Sequence, residues 1–274
     1  MTVKEQIYSV TELEPGIFRI GNSGVFMDLI VGSHHALLFD TGYGFGSLKD
    51  VVRSITDRPL YVVISHGHVD HACGNAQFGG AYIHPLDVEL CHQHNTPEFR
   101  KMELEVAEVP PDFDMEAYLA LGPGELTAVG EGHTFDLGGI TLEVVHLPGH
   151  TAGSIGLYCP EKRLLYVGDA MNCFVWLFLP EAQPLSVYIN TLHKAAKIPF
   201  THMIQSHEPA PVPKRRLWDY LDLAEHLDYA SAPIVPGPGT DAEVRICTMP
   251  GIHYDDRNHP HFAAIMIGAH PAKN

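Results

Sequence analysis

Basic residues are scarce in this sequence, which has 17 Lys and Arg against 33 Asp and Glu and a formal net charge of −16 at pH 7. A surface of that sign repels phosphate backbones and anionic lipids, so we expect neither a nucleic-acid nor a membrane partner. The sequence also lacks the run of about eighteen apolar residues that a transmembrane helix needs. Lys4, Glu5 and Gln6 stand where a signal peptide would have its apolar core, which predicts a cytoplasmic protein.

Cysteine is rare as well, and its five positions form an odd set without paired spacing, which disfavours a disulfide framework. Apolar residues make up 45% of the chain and charged residues 18%, which are the proportions of a globular protein. At 274 residues the chain is long enough to bury a substantial core, and we predict one α/β domain over residues 1–274. The acidic, proline-containing residues 95–126 predict an insertion of short helices and loops.

The predicted elements begin with strands and continue with helices that alternate with strands. Apolar, β-branched segments predict the strands, and Ser47 predicts the start of the first helix as its N-cap. Strands are expected at residues 17–20, 26–31, 36–39, 60–64, 81–84, 141–147, 154–158, 164–167, 202–205, 244–247 and 262–267. Helices are expected at residues 47–55, 72–78, 85–92, 186–197 and 214–228.

Histidine, in contrast, is abundant, and its most informative cluster directly follows the apolar run 60–64. His66, His68, Asp70 and His71 crowd into a short loop at the end of this predicted strand. On such a loop His66 and His68 can point the same way, while Asp70 and His71 project in another direction from the start of a helix. One short segment can therefore serve two metal ions. Imidazole and carboxylate ligands without cysteine suit Zn²⁺ best, with Fe or Mn as alternatives.

Three further residues stand where predicted strands end. His150 follows the strand at 141–147, Asp169 follows the strand at 164–167, and His207 follows the strand at 202–205. Strand ends meet at one edge of a sheet, where α/β proteins generally build their sites. We therefore expect these three residues to complete the metal site.

With these motifs in their observed order, the chain closely resembles the metallo-β-lactamase fold superfamily. The family signature of histidine, x, histidine, x, aspartate, histidine is matched at residues 66–71. The later family motifs are matched by Gly149-His150-Thr151, by Gly168-Asp169 and by His207, and the early aspartate before glycine by Asp40-Thr41-Gly42. The resemblance covers residues 17–207, roughly.

The resemblance implies a four-layered αβ/βα sandwich with two metal ions, most simply Zn²⁺, at one edge. In family terms His66, His68 and His150 hold the first ion, and Asp70, His71 and His207 hold the second. Asp169 would bridge both ions, and a metal-bound hydroxide would attack the substrate. Asp70 would also act in catalysis by holding the hydroxide and passing its proton to the leaving group. Asp40 would orient a ligand from behind through hydrogen bonds.

The aspartate at position 169 disfavours β-lactamase activity among the activities of this family. True β-lactamases of this fold generally have cysteine or serine at that position, whereas members similar to glyoxalase II and the lactonases keep aspartate. We therefore expect a hydrolase that cleaves an ester, lactone or thioester of a small, partly apolar molecule. A phosphodiesterase of the same fold is an alternative. A persulfide dioxygenase, with a single iron held at the positions of His66, His150 and Asp169, is another, and a non-catalytic binding module is a third.

Substrate contacts are less well marked in the sequence. The apolar segment 171–180 follows Asp169 and offers Phe174 and Trp176 as lining residues for a pocket, although it also fits a core strand or the surface of a homodimer. Tyr43 lies beside the Asp40 loop and is a candidate hydrogen-bond donor to substrate, or else a packed residue. Asp255, Asp256 and Arg257 have the pattern of a solvated loop.

Overall fold

The computed structural model describes residues 7–104, 109 and 113–269. The chain forms two compact units, Met1–Val145 and His146–Asn274. Residues 1–6, which include Lys4, Glu5 and Gln6, lie outside the described part, as do residues 105–108 and 110–112 of the predicted insertion. The single domain over 1–274 stays a prediction.

The first unit is built on a seven-stranded sheet whose strands follow one another in chain order. Its first four strands are antiparallel, and the remaining three are added in parallel. The strands are β1 Ser9–Glu14, β2 Ile17–Asn22, β3 Val25–Val31, β4 Ala36–Phe39, β5 Leu60–Val63, β6 Gly80–Ile83 and β7 Glu125–Ala128. A hairpin of β8 Thr134–Asp136 and β9 Thr141–His146 follows. β4 is buried along its whole length, which explains its continuous apolar sequence.

Short helices connect these strands: α1 Leu48–Ile55, α2 Val69–Ala72, α3 Val88–His94, α4 Pro97–Glu103 and α5 Met115–Leu119. The predicted N-cap of α1 is confirmed, because the backbone N–H of Asp50 donates to Ser47 Oγ at 3.2 Å. The predicted helix at 85–92 divides into a 3₁₀ turn, Pro85–Asp87, and α3. The sequence analysis missed β1 and β7, and the first two residues of β7 fall within the predicted insertion 95–126.

The helix predicted at 72–78 is wrong in its bounds. α2 begins earlier, at Val69, and a separate 3₁₀ turn covers Asn75–Phe78. The physical reason is the carbonyl of His71, which accepts hydrogen bonds from the backbone N–H and the hydroxyl of Thr41 at 2.8 and 3.0 Å. A continuing α-helix would need that carbonyl for the N–H four residues later.

The second unit contains two four-strand arrangements and two longer helices. One has the order β10-β11-β13-β14, and the other has the order β12-β17-β16-β15. The strands are β10 Ile155–Cys159, β11 Leu164–Gly168, β12 Phe174–Leu177, β13 His202–Gln205, β14 Val212–Pro213, β15 Ile234–Pro236, β16 Glu243–Thr248 and β17 Ala264–Gly268. The helices are α6 Leu185–Ala196 and α7 Arg215–Glu225.

The apolar segment 171–180 therefore contains a strand, β12, which pairs in parallel with β17. Phe174 and Trp176 are half-buried and pack against an apolar cluster that includes Ile246 and Phe262. Of the alternatives raised by its composition, the structure shows the packed strand. The sequence analysis also missed β14 and β15, which are only two and three residues long.

No helix in the described part of the chain is long and apolar enough to cross a membrane. The five cysteines all lie in that part and form no disulfide, in agreement with their irregular spacing.

Candidate metal centre

The first unit holds a buried cluster, here called the first ligand group, which consists of His66, His68, Asp70 and His71. The three imidazoles are 1%, 6% and 0% exposed, although histidine normally keeps contact with water. Nε2 of His66 lies 3.0 Å from Nδ1 of His68, and Nε2 of His71 lies 3.3 Å from Oδ2 of Asp70. The two pairs expected from the sequence, His66 with His68 and Asp70 with His71, are therefore close together in the structure. This proximity arises because the loop after β5 turns directly into α2.

Asp40 organises this group from behind. Its fully buried carboxylate accepts hydrogen bonds from the backbone N–H of Ser65 at 2.6 Å, from Ser65 Oγ at 2.9 Å and from His71 Nδ1 at 2.9 Å. Asp40 has a φ of +66°, a left-handed conformation that is uncommon outside glycine. Such a conformation persists only where surrounding contacts hold it, and it is common at functional sites. The predicted role of Asp40 stays a prediction, but its contacts are those that the role requires.

Ser65 extends this support to a second ligand. Its hydroxyl lies 2.9 Å from Nδ1 of His66. In both His66 and His71 the Nδ1 side of the ring is thus held by protein oxygen, and Nε2 faces the other ligands. An imidazole oriented in this way is characteristic of a metal ligand with an outer hydrogen-bond partner.

The loop that carries the ligands depends on one glycine. The N–H of Gly67 donates to Oδ2 of Asp87 at 3.1 Å, and a Cβ at this position would lie 2.7 Å from the backbone nitrogen of Cys91. Real Cβ atoms do not approach backbone that closely, so a side chain here would displace α3 or the loop. Asp87, itself buried, was not identified from the sequence.

His94 is a further residue that the sequence analysis did not assign. Its ring stacks on His68 with 4.9 Å between centroids and 14° between planes, and on Phe99 with 3.8 Å and 23°. The rings of His94 and Phe99 thus support the imidazole of His68. His94 lies at the end of α3, away from His68 in sequence, and no spacing rule could have found it.

Two carboxyl groups near this region have shifted pKa values. Burial raises the pKa of Glu103, the carboxylate of Asp70 raises it further, and His68 opposes the shift. Burial also raises the pKa of Asp28 to about 6, against the opposing charge of Arg19. Both shifts therefore come first from desolvation, and a neighbouring carboxylate, Asp70 or Asp40, adds to each.

The second unit holds the second ligand group, which consists of His150, Asp169 and His207. Oδ2 of Asp169 lies 3.3 Å from Nε2 of His207 and 3.9 Å from Nε2 of His150. Asp169 and His207 meet because β11 and β13 are parallel neighbours, so the residues that follow them share one edge. The structure therefore brings these three predicted residues together.

Residues of the loop and strand after Asp169 orient this group. Asn172 donates from Nδ2 to Oδ1 of Asp169 at 2.9 Å, and Asn172 is only 4% exposed. The backbone carbonyl of Trp176 accepts from His150 Nδ1 at 3.0 Å, which turns Nε2 of that ring toward Asp169. Neither contact was expected from the sequence, where Trp176 was considered for its side chain alone.

The predicted substrate residues are packed against aromatic neighbours. Tyr43 stacks on Phe45 with 5.2 Å between centroids, and Trp176 lies 5.3 Å from Phe178. Phe174 makes an edge contact with Phe262 at 5.3 Å. Contact of Tyr43, Phe174 or Trp176 with substrate stays a prediction.

The two ligand groups fit divalent transition metals. Two nitrogens that bind one tetrahedral Zn²⁺ at its usual bond length lie about 3.3 Å apart. The observed separations of 3.0 Å between His66 and His68, and of 3.3 Å between His207 and Asp169, are close to that value. Neutral imidazole and carboxylate are also the donors that Zn²⁺, Fe and Mn accept. The donor set therefore fits all three metals.

Comparison with known proteins identifies the family. The family model described as the metallo-beta-lactamase superfamily matches residues 21–207. The chain belongs to this superfamily. The predictions of the family and of its α/β fold are thereby confirmed, and hydrolysis is the class of activity that membership supports.

Among curated relatives, acyl-coenzyme A thioesterase MBLAC2 from Bos taurus is 28% identical over 188 residues, which cover 62% of this chain and 66% of the relative. The Homo sapiens protein of the same name gives the same identity and coverage. A beta-lactamase-like protein 2 homolog from Caenorhabditis elegans is 26% identical over 200 residues, 71% of this chain and 59% of that protein. The chain thus spans slightly less than two thirds of the length of these relatives.

Solved structures show the same fold at low identity. A metallo-beta-lactamase from Pontibacter korlensis has a TM-score of 0.58 and 19% identity, and the match covers 80% of this chain and 99% of that one. The family protein TTHA1429 from Thermus thermophilus gives 0.59 and 19%, with 78% and 81% covered. TTHA1623 in a di-iron-bound form gives 0.54 and 23%, with 71% and 92% covered.

Proposed function

We propose that this chain is a metal-dependent hydrolase that cleaves a thioester or ester of a small, partly apolar molecule. The observation that carries the proposal is the set of buried imidazoles, in the order of the family signature, whose outer ring nitrogens are held by Asp40, Ser65 and the Trp176 carbonyl. The named activity of the MBLAC2 relatives favours a thioester over a lactone.

We infer two divalent ions as cofactors, with Zn²⁺ as the first choice and Fe or Mn as alternatives. In the assignment taken from the family order, His66, His68 and His150 hold one ion, Asp70, His71 and His207 hold the other, and Asp169 bridges them. When bound, such ions lower the pKa of water and polarise the bond under attack. A di-iron form of one structural relative supports the inclusion of iron.

Within the chain, Asp70 is the proposed proton carrier. Its side chain is 19% exposed, unlike the fully buried Asp40, and its Oδ2 lies 3.3 Å from His71 Nε2. A carboxylate with this access to solvent can take a proton from water and pass it to a leaving group. Asp40 and Ser65 serve a different purpose, since they fix the imidazole tautomers and orientations that the ligands need.

The aspartate at position 169 supports the thioesterase and lactonase side of the family over β-lactamase activity. The phosphodiesterase and persulfide dioxygenase alternatives stand beside it. The charge of −16 opposes a polyanionic nucleic acid, although it also opposes the anionic coenzyme A part of an acyl-CoA. Local cations therefore decide whether an anionic thioester is accepted.

A substrate panel tests the proposal. The protein, loaded in turn with Zn²⁺, Mn²⁺ and Fe²⁺, is assayed on matched esters, lactones, thioesters and phosphodiesters, with metal content measured on the same samples. We expect thioester or ester hydrolysis with about two ions per chain, and its loss in His71→Ala but not in His92→Ala, since His92 is an exposed residue of α3. Activity confined to phosphodiesters, or one iron per chain with oxygen uptake on persulfides, would overturn the proposal.

We propose that the chain binds a small-molecule substrate and neither nucleic acid nor a membrane. We also propose that it forms a homodimer through the segment 171–180. Light scattering on the purified protein measures the oligomeric state directly. Replacing half-buried Phe178 with Glu should shift a dimer to monomer if this segment forms the interface.

A further inference from the structure

The second unit contains five arginines, and four of them are used to hold the backbone. Each of the four donates to at least one main-chain carbonyl: Arg163 to Pro199, Arg215 to Pro260, Arg216 to Phe262, and Arg245 to Ala232. The fifth, Arg257, makes neither a hydrogen bond nor an ion pair with any residue between 7 and 269 that the structure describes. Its side chain thus has no role in holding the backbone comparable to that of the other four.

Arg257 is nevertheless held in a defined place. Its guanidinium carbon lies 4.7 Å from the centroid of the Phe174 ring, the geometry of a cation–π contact. Phe174 is in turn supported by its edge contact with Phe262, which is fully buried. The guanidinium therefore rests on a rigid aromatic base while its residue stays exposed. A stacked guanidinium keeps its N–H donors available in its plane.

Phe174, the ring under this cation, belongs to the segment that directly follows Asp169 of the second ligand group. Phe174 follows Asn172, the residue that donates to Asp169, by two positions, a span of at most about 7 Å of chain. Between these two residues lies Cys173, and charges of opposite sign shift the pKa of its thiol in opposite directions. Burial raises the pKa of its thiol to about 12, Glu208 raises it further, and Arg257 lowers it. Glu208 directly follows His207 in sequence, so Cys173 lies within reach of both the Arg257 charge and a chain neighbour of that ligand.

We propose that Arg257, on the ring of Phe174, binds an anionic group of the substrate and is a specificity-determining residue for this hydrolase. The anionic group is a carboxylate or phosphate, which matches the planar guanidinium and its paired donors. In a chain with a net charge of −16, an arginine without an ion pair among the described residues supplies a local positive charge that offsets part of the repulsion on an anionic substrate. The inference rests on the proposed thioesterase or esterase function and names its substrate class.

Three thioesters separate the possible sources of the anion. Hexanoyl-CoA carries phosphates on the thiol part, glutaryl-N-acetylcysteamine carries a carboxylate on the acyl part, and hexanoyl-N-acetylcysteamine is neutral. We expect Arg257→Ala to raise KM at least about tenfold for one of the two anionic thioesters. A change of this size corresponds to the loss of one charge-assisted hydrogen bond. The neutral thioester should change less than about twofold. Arg257→Lys should recover part of the affinity, because lysine keeps the positive charge but lacks the paired N–H donors of the guanidinium.

Lys197→Ala is the matched control, since it removes one exposed positive charge beyond the end of α6. It should leave all three KM values unchanged. Equal changes for all three thioesters in Arg257→Ala would show a structural role and overturn the inference. So would changes of the same size in the control.

Binding measurements keep the inference separate from the proposed function. Coenzyme A and glutarate are titrated calorimetrically into the metal-loaded protein, which requires no turnover. Weaker binding of one of them by Arg257→Ala supports the anion site even if none of the three thioesters is hydrolysed. Turnover of thioesters with no effect of Arg257 in either assay leaves the hydrolase proposal standing and overturns this one.

Discussion

Oδ2 of Asp40 lies 2.9 Å from Nδ1 of His71, while the same carboxylate binds the N–H and hydroxyl of Ser65. One buried side chain therefore controls two of the proposed ligands, His71 directly and His66 through the Ser65 hydroxyl. His66 lies in the loop after β5 and His71 lies in α2, so this carboxylate helps to orient a proposed ligand in each of two neighbouring elements. Asp40 also holds the turn after β4 in a left-handed conformation.

The first prediction concerns Asp40→Asn. Asparagine tolerates the left-handed backbone and keeps one acceptor oxygen, so the fold should survive. With a single oxygen left to serve Ser65 and His71, we expect metal affinity to fall about 10–100-fold. Equilibrium dialysis followed by metal analysis measures the change, and thermal unfolding of the metal-free protein measures the fold.

Asp40→Ala is the companion variant. Alanine loses all three hydrogen bonds and is strained at a φ of +66°, so it should also lower the melting temperature of the metal-free protein. If Asp40→Asn binds metal as tightly as the natural protein, the carboxylate has only a backbone role, and the outer-partner assignment is wrong.

The sequence predicted which residues lie close together where they are neighbours in the chain or follow parallel strands. It did not predict contacts between residues of distant elements. His66, His68, Asp70 and His71 are neighbours in the chain, so one loop already brings them together. Asp169 and His207 could be placed because parallel strands end at a common edge. The family resemblance then added the order of the motifs, which no single spacing contains.

Supporting residues could not be found in this way. His94 reaches His68 only because α3 packs beside the ligand loop, and Arg257 reaches Phe174 from a loop that its sequence marks as solvated. The contact from Trp176 to His150 uses a backbone carbonyl, which every residue has. Composition and periodicity describe which face of an element is buried, but not which distant element covers it.

The second prediction concerns the stacked ring of His94. His94→Ala removes the ring that lies between His68 and Phe99, while His94→Phe keeps a ring of similar shape. We expect the alanine variant to lose about 1–2 kcal/mol of unfolding free energy and to bind metal several-fold more weakly. The phenylalanine variant should retain most of both. Urea unfolding of the metal-free protein and metal dialysis give the two values, with His92→Ala as control.

An equal loss of metal affinity in His94→Phe and His94→Ala would contradict the stacking role. It would indicate that the imidazole nitrogens of His94 act themselves. Activity at several pH values then distinguishes a titrating His94 from a ring that only packs.

The third prediction concerns Asn172, whose amide donates to Asp169. Asn172→Leu is similar in size and lacks the donor, so one oxygen of Asp169 loses its fixed partner. We expect metal affinity to fall about tenfold or more, with a smaller change in stability. Asn190→Leu, on the exposed side of α6, is the matched control. Unchanged metal binding in Asn172→Leu would mean that the strand end alone fixes Asp169.

The fourth prediction concerns the pH dependence of stability from Asp28. This carboxylate is buried beside Arg19, with 3.2 Å between Arg19 Nε and Asp28 Oδ1. Two effects compete there: burial raises the pKa of Asp28, as does the nearby Asp40, while the Arg19 charge lowers it. Burial prevails, and the pKa rises to about 6. An unfolded aspartate has a pKa of about 3.9.

Between about pH 4 and pH 6 the folded chain therefore binds more protons at Asp28 than the unfolded chain does, and the contribution of Asp28 to stability falls as pH rises. Comparison with Asp28→Asn isolates this contribution, because Arg19 stays charged throughout and the other groups are common to both proteins. From pH 4 to pH 6.5 we expect the unfolding free energy of the natural protein to fall relative to the variant, on the order of 2 kcal/mol. Urea unfolding of the metal-free proteins across this range gives the difference. A relative gain with rising pH would instead mean that the Arg19 pair outweighs burial and keeps Asp28 ionised.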